Sequence, residues 1–466
     1  MNGRVHMVGI GGIGMSAVAQ ILLARGCAVS GSDAHASTMT ARLAELGAEI
    51  TIGHRAELVE GAARVVISDA IRADNPELRR ARELGLRVQR RSELLAELMA
   101  GSRGLAVSGT HGKTTVTAMT AAALVAAGMD PTVALGGSYG PLGGNARAGR
   151  GEWFVVEACE AYDSFLDLRP DIAVITNIEA EHLDHHRTEQ HLHESFTRFV
   201  GAVAEGGCLV VCADRPELSG MRPPAGRDVV TYGFAEHADV RGVEPRLEGT
   251  RGRCRLLVAG EEAGELTVNI PGVHNLSNAL GALAAARRAG AGLEACRRAL
   301  SEFRGVERRF QVLGEARGIT VVDDYAHHPT EVAATLAAAR AAFPGRRLVA
   351  VFQPHLYSRT RDFASGFARA LAGADVVVLV GIYAARESPI EGVTTQLIAG
   401  PLRRDLGEDV VFEMEKGDVA SKLPAIARAR DVIVVMGAGD IGEAAHALVH
   451  SLGAKSAGEQ QLAAKT

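Results

Sequence analysis

The most informative segment of the chain is a glycine-rich loop between a predicted strand and an alanine-rich predicted helix. It reads Gly109-Thr110-His111-Gly112-Lys113-Thr114-Thr115. Backbone N–H groups in such a loop can surround phosphate oxygens, and the N-terminus of the next helix favours negative charge. Lys113 would reach the terminal phosphates and Thr114 would ligate a magnesium ion, although Val107 stands where the full Walker pattern has glycine. The loop predicts ATP binding, and the alternative is a glycine-rich turn that precedes a helix by chance.

A second glycine-rich loop follows the first predicted strand. It reads Gly9-Ile10-Gly11-Gly12-Ile13-Gly14, and Asp33 comes about 20 residues later, as in a dinucleotide fingerprint. By itself this pattern admits three interpretations, which are binding of NAD, binding of another nucleotide's diphosphate, or no ligand. Two phosphate loops that open two domains favour two nucleotides, one consumed and one carried. Ser32 and Asp33 would then lie near a ribose.

Carboxylates and a histidine follow two further predicted strands. Glu157 ends one of these strands, and His182 comes shortly after the other. The carboxyl ends of parallel strands meet at the edge of a sheet where ligands bind. Glu157 could therefore help Thr114 to hold a magnesium ion on ATP, and a histidine ligand such as His182 implies a softer site that tolerates manganese.

Two asparagines lie at the start of a predicted helix that opens with Pro271-Gly272-Val273-His274-Asn275. Asn278 follows three residues after Asn275. A carboxamide can form two hydrogen bonds with the edge of adenine. The alternative for Asn275 is capping of the helix.

The last third of the chain has two polar segments, each directly after a predicted strand. They are Asp323-Asp324-Tyr325-Ala326-His327-His328-Pro329 and Phe352-Gln353-Pro354-His355-Leu356-Tyr357-Ser358-Arg359-Thr360-Arg361. A buried pair of aspartates is costly without a cation, which favours an amine substrate, and a neighbouring histidine could take its proton near neutral pH. The arginines suit a carboxylate or a phosphate. The alternatives are helix capping for the aspartates and a solvated surface for the arginines.

The elements that must position these groups alternate between short β-rich runs and helical patterns, which predicts parallel α/β sheets. Breaks near residues 100 and 310 divide the chain into three predicted domains, 1–100, 101–310 and 311–466. We predict an N-terminal Rossmann-like domain, a central P-loop ATPase-like domain with a parallel sheet, and a C-terminal Rossmann-like domain. The polar stretch 215–264 is expected to be irregular or antiparallel, and the tail after residue 454 disordered.

Composition narrows the class of protein. The 466 residues are 47% hydrophobic and 23% charged, as in ordinary globular enzymes, and the net charge of -5 with scattered arginine pairs gives no reason to expect nucleic acid. Six cysteines without a paired motif favour reduced thiols over zinc or disulfides. No signal peptide pattern is present, and the apolar runs are far shorter than the ~20 residues that span a bilayer. We therefore expect a cytoplasmic protein without membrane insertion.

Taken together, these motifs resemble those of the Mur ligases. The segments GIGGIGMS, GTHGKTT, NIEAEHLDHH, PGVHNLSNA, RRFQ, DDYAHHPTE, FQPHLYSRT and GAGDIG occur in the expected order over nearly the whole chain. The resemblance implies an ATP-dependent ligase that activates a carboxylate as an acyl phosphate and joins it to an amine. The N-terminal domain would hold a UDP-linked substrate, which explains a dinucleotide-like loop without hydride chemistry.

The resemblance also implies roles for individual residues. Lys113 and Thr114 look like the phosphate and magnesium residues, and Glu157 and His182 complete the metal site. Asn275 and Asn278 look like adenine contacts, with Arg308 or Arg309 at a phosphate or substrate. Asp324, Tyr325 and His327 would lie beside the amino acid and the reacting carboxylate, where His327 or Asp324 would help to deprotonate the amine. His355 with Arg359 or Arg361 would hold a carboxylate. The stretch 136–147, which includes Asn145 and Arg147, looks like a sugar-nucleotide loop beside Gly11, Gly12, Ile13 and Gly14.

Within the family, His111 and FQPHLYSRT favour the member that adds L-alanine to UDP-N-acetylmuramate. The alternative is a member with another amino acid or peptide, such as the ligase that recycles murein tripeptide. One departure is Cys159, in a segment that usually reads Glu-Ala-Asp-Glu-x-Asp, and it leaves the roles of Glu160 and Asp163 open. The oligomeric state is expected to be monomer or homodimer.

Two other classes of protein compete with the ligase interpretation. A nicotinamide-dependent dehydrogenase would use the N-terminal glycines, but it gives no role to Gly109–Thr115. A nucleotide-binding module or regulatory ATPase would use that loop without forming an amide.

Overall fold

The structure is a computed structural model and describes residues 3–181, 186, 188–385 and 387–453. The chain divides into two compact units. The first comprises Met1–Glu244, Cys254–Leu266 and Ser277–Phe303, and the second comprises Pro245–Arg253, Thr267–Leu276 and Arg304–Thr466.

The N-terminal sheet, in the first unit, is entirely parallel. Its strands are β1 (Val5–Val8), β2 (Val29–Asp33), β3 (Glu49–Ile52), β4 (Arg64–Ile67) and β5 (Arg87–Arg90), in the order β3-β2-β1-β4-β5. The helices are α1 (Ile13–Ala24), α2 (Thr38–Glu45), α3 (Pro76–Glu83) and α4 (Arg91–Met99). The strand order reverses next to β1, and the first glycine loop leaves the carboxyl end of that strand. This is the position at which open parallel sheets bind ligands.

The central sheet surrounds the phosphate loop. Its strands are β6 (Arg103–Ser108), β7 (Thr132–Tyr139), β8 (Gly144–Arg147), β9 (Trp153–Glu157), β10 (Ile172–Ile175), β11 (Cys208–Cys212), β12 (Asp228–Gly233), β13 (Val240–Glu248), β14 (Arg251–Val258) and β15 (Glu261–Val268). Their order is β15-β14-β13-β12-β11-β10-β6-β9-β7-β8. The helices are α5 (Lys113–Ala126), α6 (Glu189–Gly201), α7 (Val273–Arg288) and α8 (Leu293–Glu302). Strand β6 lies between β10 and β9 and is parallel to both, so the loop that follows β6 is flanked by their carboxyl ends.

The C-terminal sheet belongs to the second unit. Its strands are β16 (Gln311–Ala316), β17 (Ile319–Asp324), β18 (Leu348–Phe352), β19 (Val376–Val380), β20 (Val411–Met414) and β21 (Val432–Met436), in the order β16-β17-β21-β18-β19-β20. Only the edge pair β16–β17 is antiparallel among the described pairings of this sheet. The helices are α9 (Pro329–Ala342), α10 (Tyr357–Leu371), α11 (Gln396–Leu406), α12 (Val419–Ile426) and α13 (Ile441–Ser451). Separate apolar clusters cover its two faces, as buried parallel strands require.

The predicted α/β architecture with parallel-rich sheets is confirmed, and some element bounds differ from the expectation. Helix α1 begins at Ile13 rather than near residue 16, because Gly12 already accepts the first helical hydrogen bond, from the backbone N–H of Ser16. The stretch 215–264 is mostly extended, in β12 to β15. Connections of two residues, 249–250 and 259–260, join β13, β14 and β15, and such short connections allow only antiparallel neighbours. The described part of the chain has no helix that is long and apolar enough to cross a membrane.

A buried polar cluster stabilises the N-terminal sheet. Asn75 caps α3 and Pro76 is its first residue. Glu77 follows in the same turn, and its side chain is buried. The Glu77 carboxylate is fully buried and lies 2.7 Å from His6 Nε2, 2.9 Å from Ser32 Oγ and 3.0 Å from His54 Nδ1. Burial opposes ionisation of Glu77, but the hydrogen bonds from His6 and Ser32 dominate and lower its pKa below the ordinary value. The carboxylate therefore stabilises the fold as long as it is ionised.

We expect Glu77→Ala to destabilise the N-terminal sheet by roughly 3–5 kcal/mol, because the buried partners lose their acceptor. Hydrogen exchange of β1 and β2 amides measures the effect. In the wild type, this contribution should be present above the ordinary glutamate pKa and lost as pH falls through the lowered one. Glu83→Ala, on the exposed face of the same helix, is the control and should change stability by no more than about 0.5 kcal/mol. Equal protection in the two variants would contradict the assignment.

Candidate active site

The phosphate loop has a backbone that only glycine can adopt at two positions. Gly109 has φ +129° and Gly112 has φ +83°, both in the left-handed half of φ space. A Cβ atom on Gly109 would lie 2.1 Å from Thr176 Oγ1, and one on Gly112 would lie 2.6 Å from Asn278 Oδ1. The sequence pattern therefore corresponds to a steric requirement.

Residues that follow β10 form hydrogen bonds with this loop. The side chain of Asn177 accepts a hydrogen bond from the backbone N–H of His111 at 2.9 Å, and Thr176 donates to the His111 carbonyl at 2.6 Å. Thr110 Oγ1 accepts the backbone N–H of Glu179 at 2.8 Å. These contacts within the protein fix the conformation of the loop, and a fixed arrangement of donors is what phosphate binding needs.

Lys113 begins α5 and is paired with a carboxylate inside the first unit. Its ammonium lies 2.9 Å from Glu160 Oε1 and also donates to the carbonyls of Gly109 and Thr110. Glu160 is 1% exposed. Burial disfavours the charge on Lys113, but Glu160 and the neighbouring acidic groups outweigh burial and raise the pKa of Lys113 above its ordinary value. Lys113 is therefore a cation at any physiological pH, and Glu160, whose role the sequence left open, is its counter-ion.

Two of the predicted metal residues, Thr114 and Glu157, lie in elements that adjoin β6 and the phosphate loop. Thr114 is buried in the first turn of α5, and Glu157 ends β9 beside β6. One Glu157 oxygen accepts the backbone N–H of Gly136 at 2.8 Å. A Cβ atom on Gly136 would lie 2.4 Å and 2.5 Å from the two carboxylate oxygens, so the carboxylate occupies space that only glycine leaves open. A hydroxyl and a carboxylate are ligands that magnesium accepts. His182 lies outside the described residues.

The loop after β1 is stabilised by the predicted ribose residue Asp33, whose side chain accepts the backbone N–H of Gly11 at 2.8 Å. Asn145, predicted in the sugar-nucleotide loop, is fully buried against α1 and donates to the Ile13 carbonyl at 2.6 Å and to Ser16 Oγ at 2.9 Å. The structure thus brings the stretch around Asn145 to the first glycine loop. Gly12 is the N-cap residue of α1, and Gly14 lies in the first turn of that helix.

Three other predicted positions have partners within the protein. Ser32 is buried and bonded to Glu77 and His54, and Arg147 is paired with Asp130. Asn275 Nδ2 donates to the Pro271 carbonyl at 2.7 Å, which differs from helix capping, where a side-chain oxygen accepts a backbone N–H group. Asn278 Oδ1 lies beside Gly112. The roles of these residues in binding stay predictions.

In the second unit, the segment 308–310 is tied to the end of β17. The Asp324 carboxylate accepts the backbone N–H groups of Phe310 at 2.7 Å and Ala326 at 2.8 Å. Burial raises the pKa of Asp324 to about 6, against the opposing effect of Arg309. The guanidinium carbons of Arg308 and Arg309 lie 5.0 Å and 5.1 Å from the centre of the Tyr325 ring. Asp324 therefore fixes the loop that carries these arginines.

Histidines and an arginine from two strand ends converge beside Tyr325. The His327 ring is 5.3 Å from the Tyr325 ring and 6.1 Å from the His355 ring, measured between centroids. Arg359 is 8% exposed and its Nη1 lies 3.3 Å from His355 Nδ1. Arg361 does not join this cluster, since its guanidinium is about half exposed and pairs with Asp362. Of the two arginines, the geometry favours Arg359 for a carboxylate.

One residue of this cluster was missed from the sequence. Glu331 lies 3.1 Å from His327 Nδ1 and 3.7 Å from Arg309 Nη1. The available signal was its spacing, since a glutamate four residues after a histidine at a helix start is placed to contact it.

Three family models match successive parts of the chain. The model described as Mur ligase family, catalytic domain, matches residues 4–103, the Mur ligase middle domain matches 107–286, and the Mur ligase, glutamate ligase domain, matches 308–439. The chain belongs to the Mur ligase family. The resemblance inferred from the motifs is therefore confirmed.

Individual relatives of this Mur ligase match over almost the full length. A UDP-N-acetylmuramate--L-alanine ligase of Sorangium cellulosum is 46% identical, with 97% of each chain covered, and one of Geotalea daltonii is 44% identical, with 96% of this chain and 98% of the relative covered. The crystal structure of a UDP-N-acetylmuramate-alanine ligase from Thermotoga maritima has a TM-score of 0.83 at 30% identity, covering 96% of this chain and 99% of that one. A murein peptide ligase from Psychrobacter arcticus has a TM-score of 0.72 at 25% identity, covering 97% and 99%. These similarities confirm the three-domain fold.

We expect Gly136→Ala to weaken use of the divalent cation, because the new methyl group displaces the Glu157 carboxylate. The concentration of magnesium that gives half-maximal ADP release should rise roughly 10-fold, in the range seen for lost supporting contacts at metal sites. Gly140→Ala is a matched control four residues on, since nothing lies within 4 Å of a Cβ at that position. An unchanged magnesium requirement in Gly136→Ala would argue against Glu157 as a ligand.

We expect Asp324→Asn to destabilise the second unit by about 1–3 kcal/mol, because its NH2 group would face a backbone donor that needs an acceptor. Hydrogen exchange of β17 and β21 amides reports the loss. Since the pKa of Asp324 is raised to about 6 in the fold, its contribution is complete below about pH 4 and lost as pH rises through about 6. The variant should lack that component of the pH dependence, and Asp362→Asn, at the surface, should keep it.

Proposed function

We propose that this Mur ligase joins L-alanine to the carboxylate of UDP-N-acetylmuramate, with ATP converted to ADP and phosphate, in peptidoglycan precursor synthesis. The observation that carries the proposal is the match over 97% of both chains to a relative of that name at 46% identity. The reaction requires sites for ATP, for the amino acid and for the UDP-linked substrate. The phosphate loop, the cluster around Tyr325 and the N-terminal glycine loop are the candidates for these three sites.

A carboxylate does not condense with an ammonium ion in water, so the reaction begins by transfer of the terminal phosphoryl group of ATP to it. The N–H groups of the ordered loop and the ammonium of Lys113 would bind the phosphates and offset the charge that develops on them. Lys113 must exchange Glu160 for phosphate oxygens in this step. A magnesium ion held by Thr114 and Glu157, with His182 as the further predicted ligand and manganese tolerated, would supply additional positive charge on the phosphates.

L-Alanine would be held by the cluster around Tyr325. Arg359 and His355 suit its carboxylate, and the neighbouring His327 could take a proton from its ammonium group. The amine would then attack the acyl carbon and the phosphate would leave. Exclusion of water protects the acyl phosphate, and we propose movement about the segments near residues 100 and 310 for this purpose.

We assign the UDP-linked substrate to 1–100, ATP to 101–310, with Asn275 and Asn278 at adenine, and the amino acid to 311–466. The family models, which change between 103 and 107 and again between 286 and 308, support these divisions. All six cysteines are unpaired, in keeping with a cytoplasmic location. The working enzyme is proposed to be a monomer or homodimer.

The proposal is tested by ADP release with ATP, magnesium, UDP-N-acetylmuramate and each amino acid singly. We expect release that requires UDP-N-acetylmuramate and is greatest with L-alanine. Release supported by a murein tripeptide instead would assign the activity of the murein peptide ligase, to which the chain is also similar. Release indifferent to both acceptor and amine would overturn the ligase proposal.

Lys113→Ala should reduce amide formation roughly 10²–10³-fold, the usual cost of one group that stabilises developing charge. Lys422→Ala removes an exposed lysine and should leave the rate unchanged. The product is measured directly as UDP-N-acetylmuramoyl-L-alanine, because ADP release alone does not separate a ligase from an ATPase. An active Lys113→Ala enzyme would exclude the proposed role of the loop.

A further inference from the structure

The ring of His327 has a hydrogen-bond pattern that defines its neutral tautomer. Nδ1 lies 2.9 Å from the Tyr325 carbonyl oxygen and 3.1 Å from a Glu331 carboxylate oxygen. Both oxygens are acceptors, so Nδ1 must carry the hydrogen. In the neutral ring the lone pair is then at Nε2, which is the nitrogen that can accept a proton from a substrate.

The neighbouring histidine has the opposite pattern. His355 Nδ1 lies 3.3 Å from Arg359 Nη1, and a guanidinium nitrogen can only donate. Nδ1 of His355 is therefore an acceptor, and in the neutral ring the hydrogen is at Nε2. Two rings 6.1 Å apart thus have complementary tautomers, with an acceptor on His327 and a donor on His355.

Glu331 is the group that holds His327 in this state. It occupies the third position of α9, and its Oε2 also accepts the backbone N–H of His327 at 3.0 Å. Its other oxygen lies 3.7 Å from Arg309 Nη1, and the carboxylate is only 12% exposed. Oε2 is therefore held by His327 itself, and Arg309 attracts the other oxygen as an ion pair, so the carboxylate can orient the imidazole as the buried carboxylate of a catalytic triad does.

We propose that Glu331 is a positioning residue for His327, and that His327 Nε2 takes the proton from the ammonium group of the amino acid. This inference rests on the proposed function. One ammonium proton moves to Nε2, the freed electron pair forms the N–C bond, and the acyl C–O bond breaks with its electrons leaving on phosphate. The second amine proton is lost to solvent.

Besides the adjoining His328, the charged and titratable groups near His327 and Glu331 in the described part of the second unit include residues from four segments. Arg308 and Arg309 lie before β16, and Asp324 and Tyr325 end β17. His274 lies at the start of α7, and His355 with Arg359 follows β18. Burial lowers the pKa of His274 to about 4, so it adds no positive charge near neutral pH. A comparison of variants therefore decides whether the pH dependence of the rate comes from His327 and Glu331.

The first experiment uses the ligand-free full chain with ¹⁵N-labelled histidine. Two-bond ¹H–¹⁵N correlation spectra, with His327 assigned from a His327→Asn variant, should show the Nδ1–H tautomer for His327. A neighbouring carboxylate favours imidazolium, so Glu331→Gln should lower the midpoint of the ring's NMR titration by about one pH unit. An Nε2–H ring in the wild type, or the same midpoint in Glu331→Gln, would overturn the proposal.

The second experiment measures kinetics of Glu331→Gln, which keeps the size of the side chain. The acid limb of kcat/KM for L-alanine should move to lower pH by the same amount. At neutral pH kcat should fall roughly 10- to 100-fold, within what general-base catalysis supplies, with KM for ATP unchanged.

Glu443→Gln is the matched control, because Glu443 has the third position of α13 and contacts Lys416 instead of a histidine. It tests loss of a helix-start carboxylate and should move neither the acid limb nor kcat. Equal effects in the two variants would show that Glu331 acts only as a helix-start carboxylate and does not position His327. If the wild type forms no amide with any amino acid, the proposed function fails, whereas the spectra still decide the tautomer.

Discussion

Every candidate site in this protein depends on one constraint of parallel sheets, which is that neighbouring strands end at the same edge. Strand β6 lies between β9 and β10, and this register brings the phosphate loop, Glu157 and the anchor Asn177 together from residues far apart in sequence. Strands β17 and β18 both pair with β21 in parallel, so the segments that follow β17 and β18 leave the same edge of the sheet. Backbone hydrogen bonds thus determine which side chains can meet, and the side chains determine what the edge binds.

Much of this arrangement was predictable, because alternating strands and helices require parallel sheets and parallel sheets collect strand ends. The glycine loops, Glu157 and the histidine–arginine segments were all found from residue type and position after a strand. Bounds of α1 and of the β12–β15 region were less accurate, since the first turn of a helix and the edge of a sheet have weak sequence patterns.

Other features could not be predicted because they depend on contacts between distant residues. Nothing in the segment around Glu160 indicates that it faces Lys113, 47 positions earlier. Likewise, the sequence suggests Asp324 as a group for an amine, and only the structure shows that its oxygens also accept the backbone N–H groups of Phe310 and Ala326. The need for glycine at Gly136 follows from the position of Glu157 on another strand.

The ion pair between Lys113 and Glu160 has a consequence for selectivity among nucleotides. A lysine that already has a buried carboxylate 2.9 Å away gains from a ligand only the difference between its new and old partners. In the proposed binding mode, a γ-phosphate would offer several charged oxygens in exchange, whereas a nucleotide that ends at its α-phosphate would leave the pair intact. On that proposal, Glu160 would make binding to the loop depend on the number of phosphates, so nucleoside monophosphates would compete poorly with ATP.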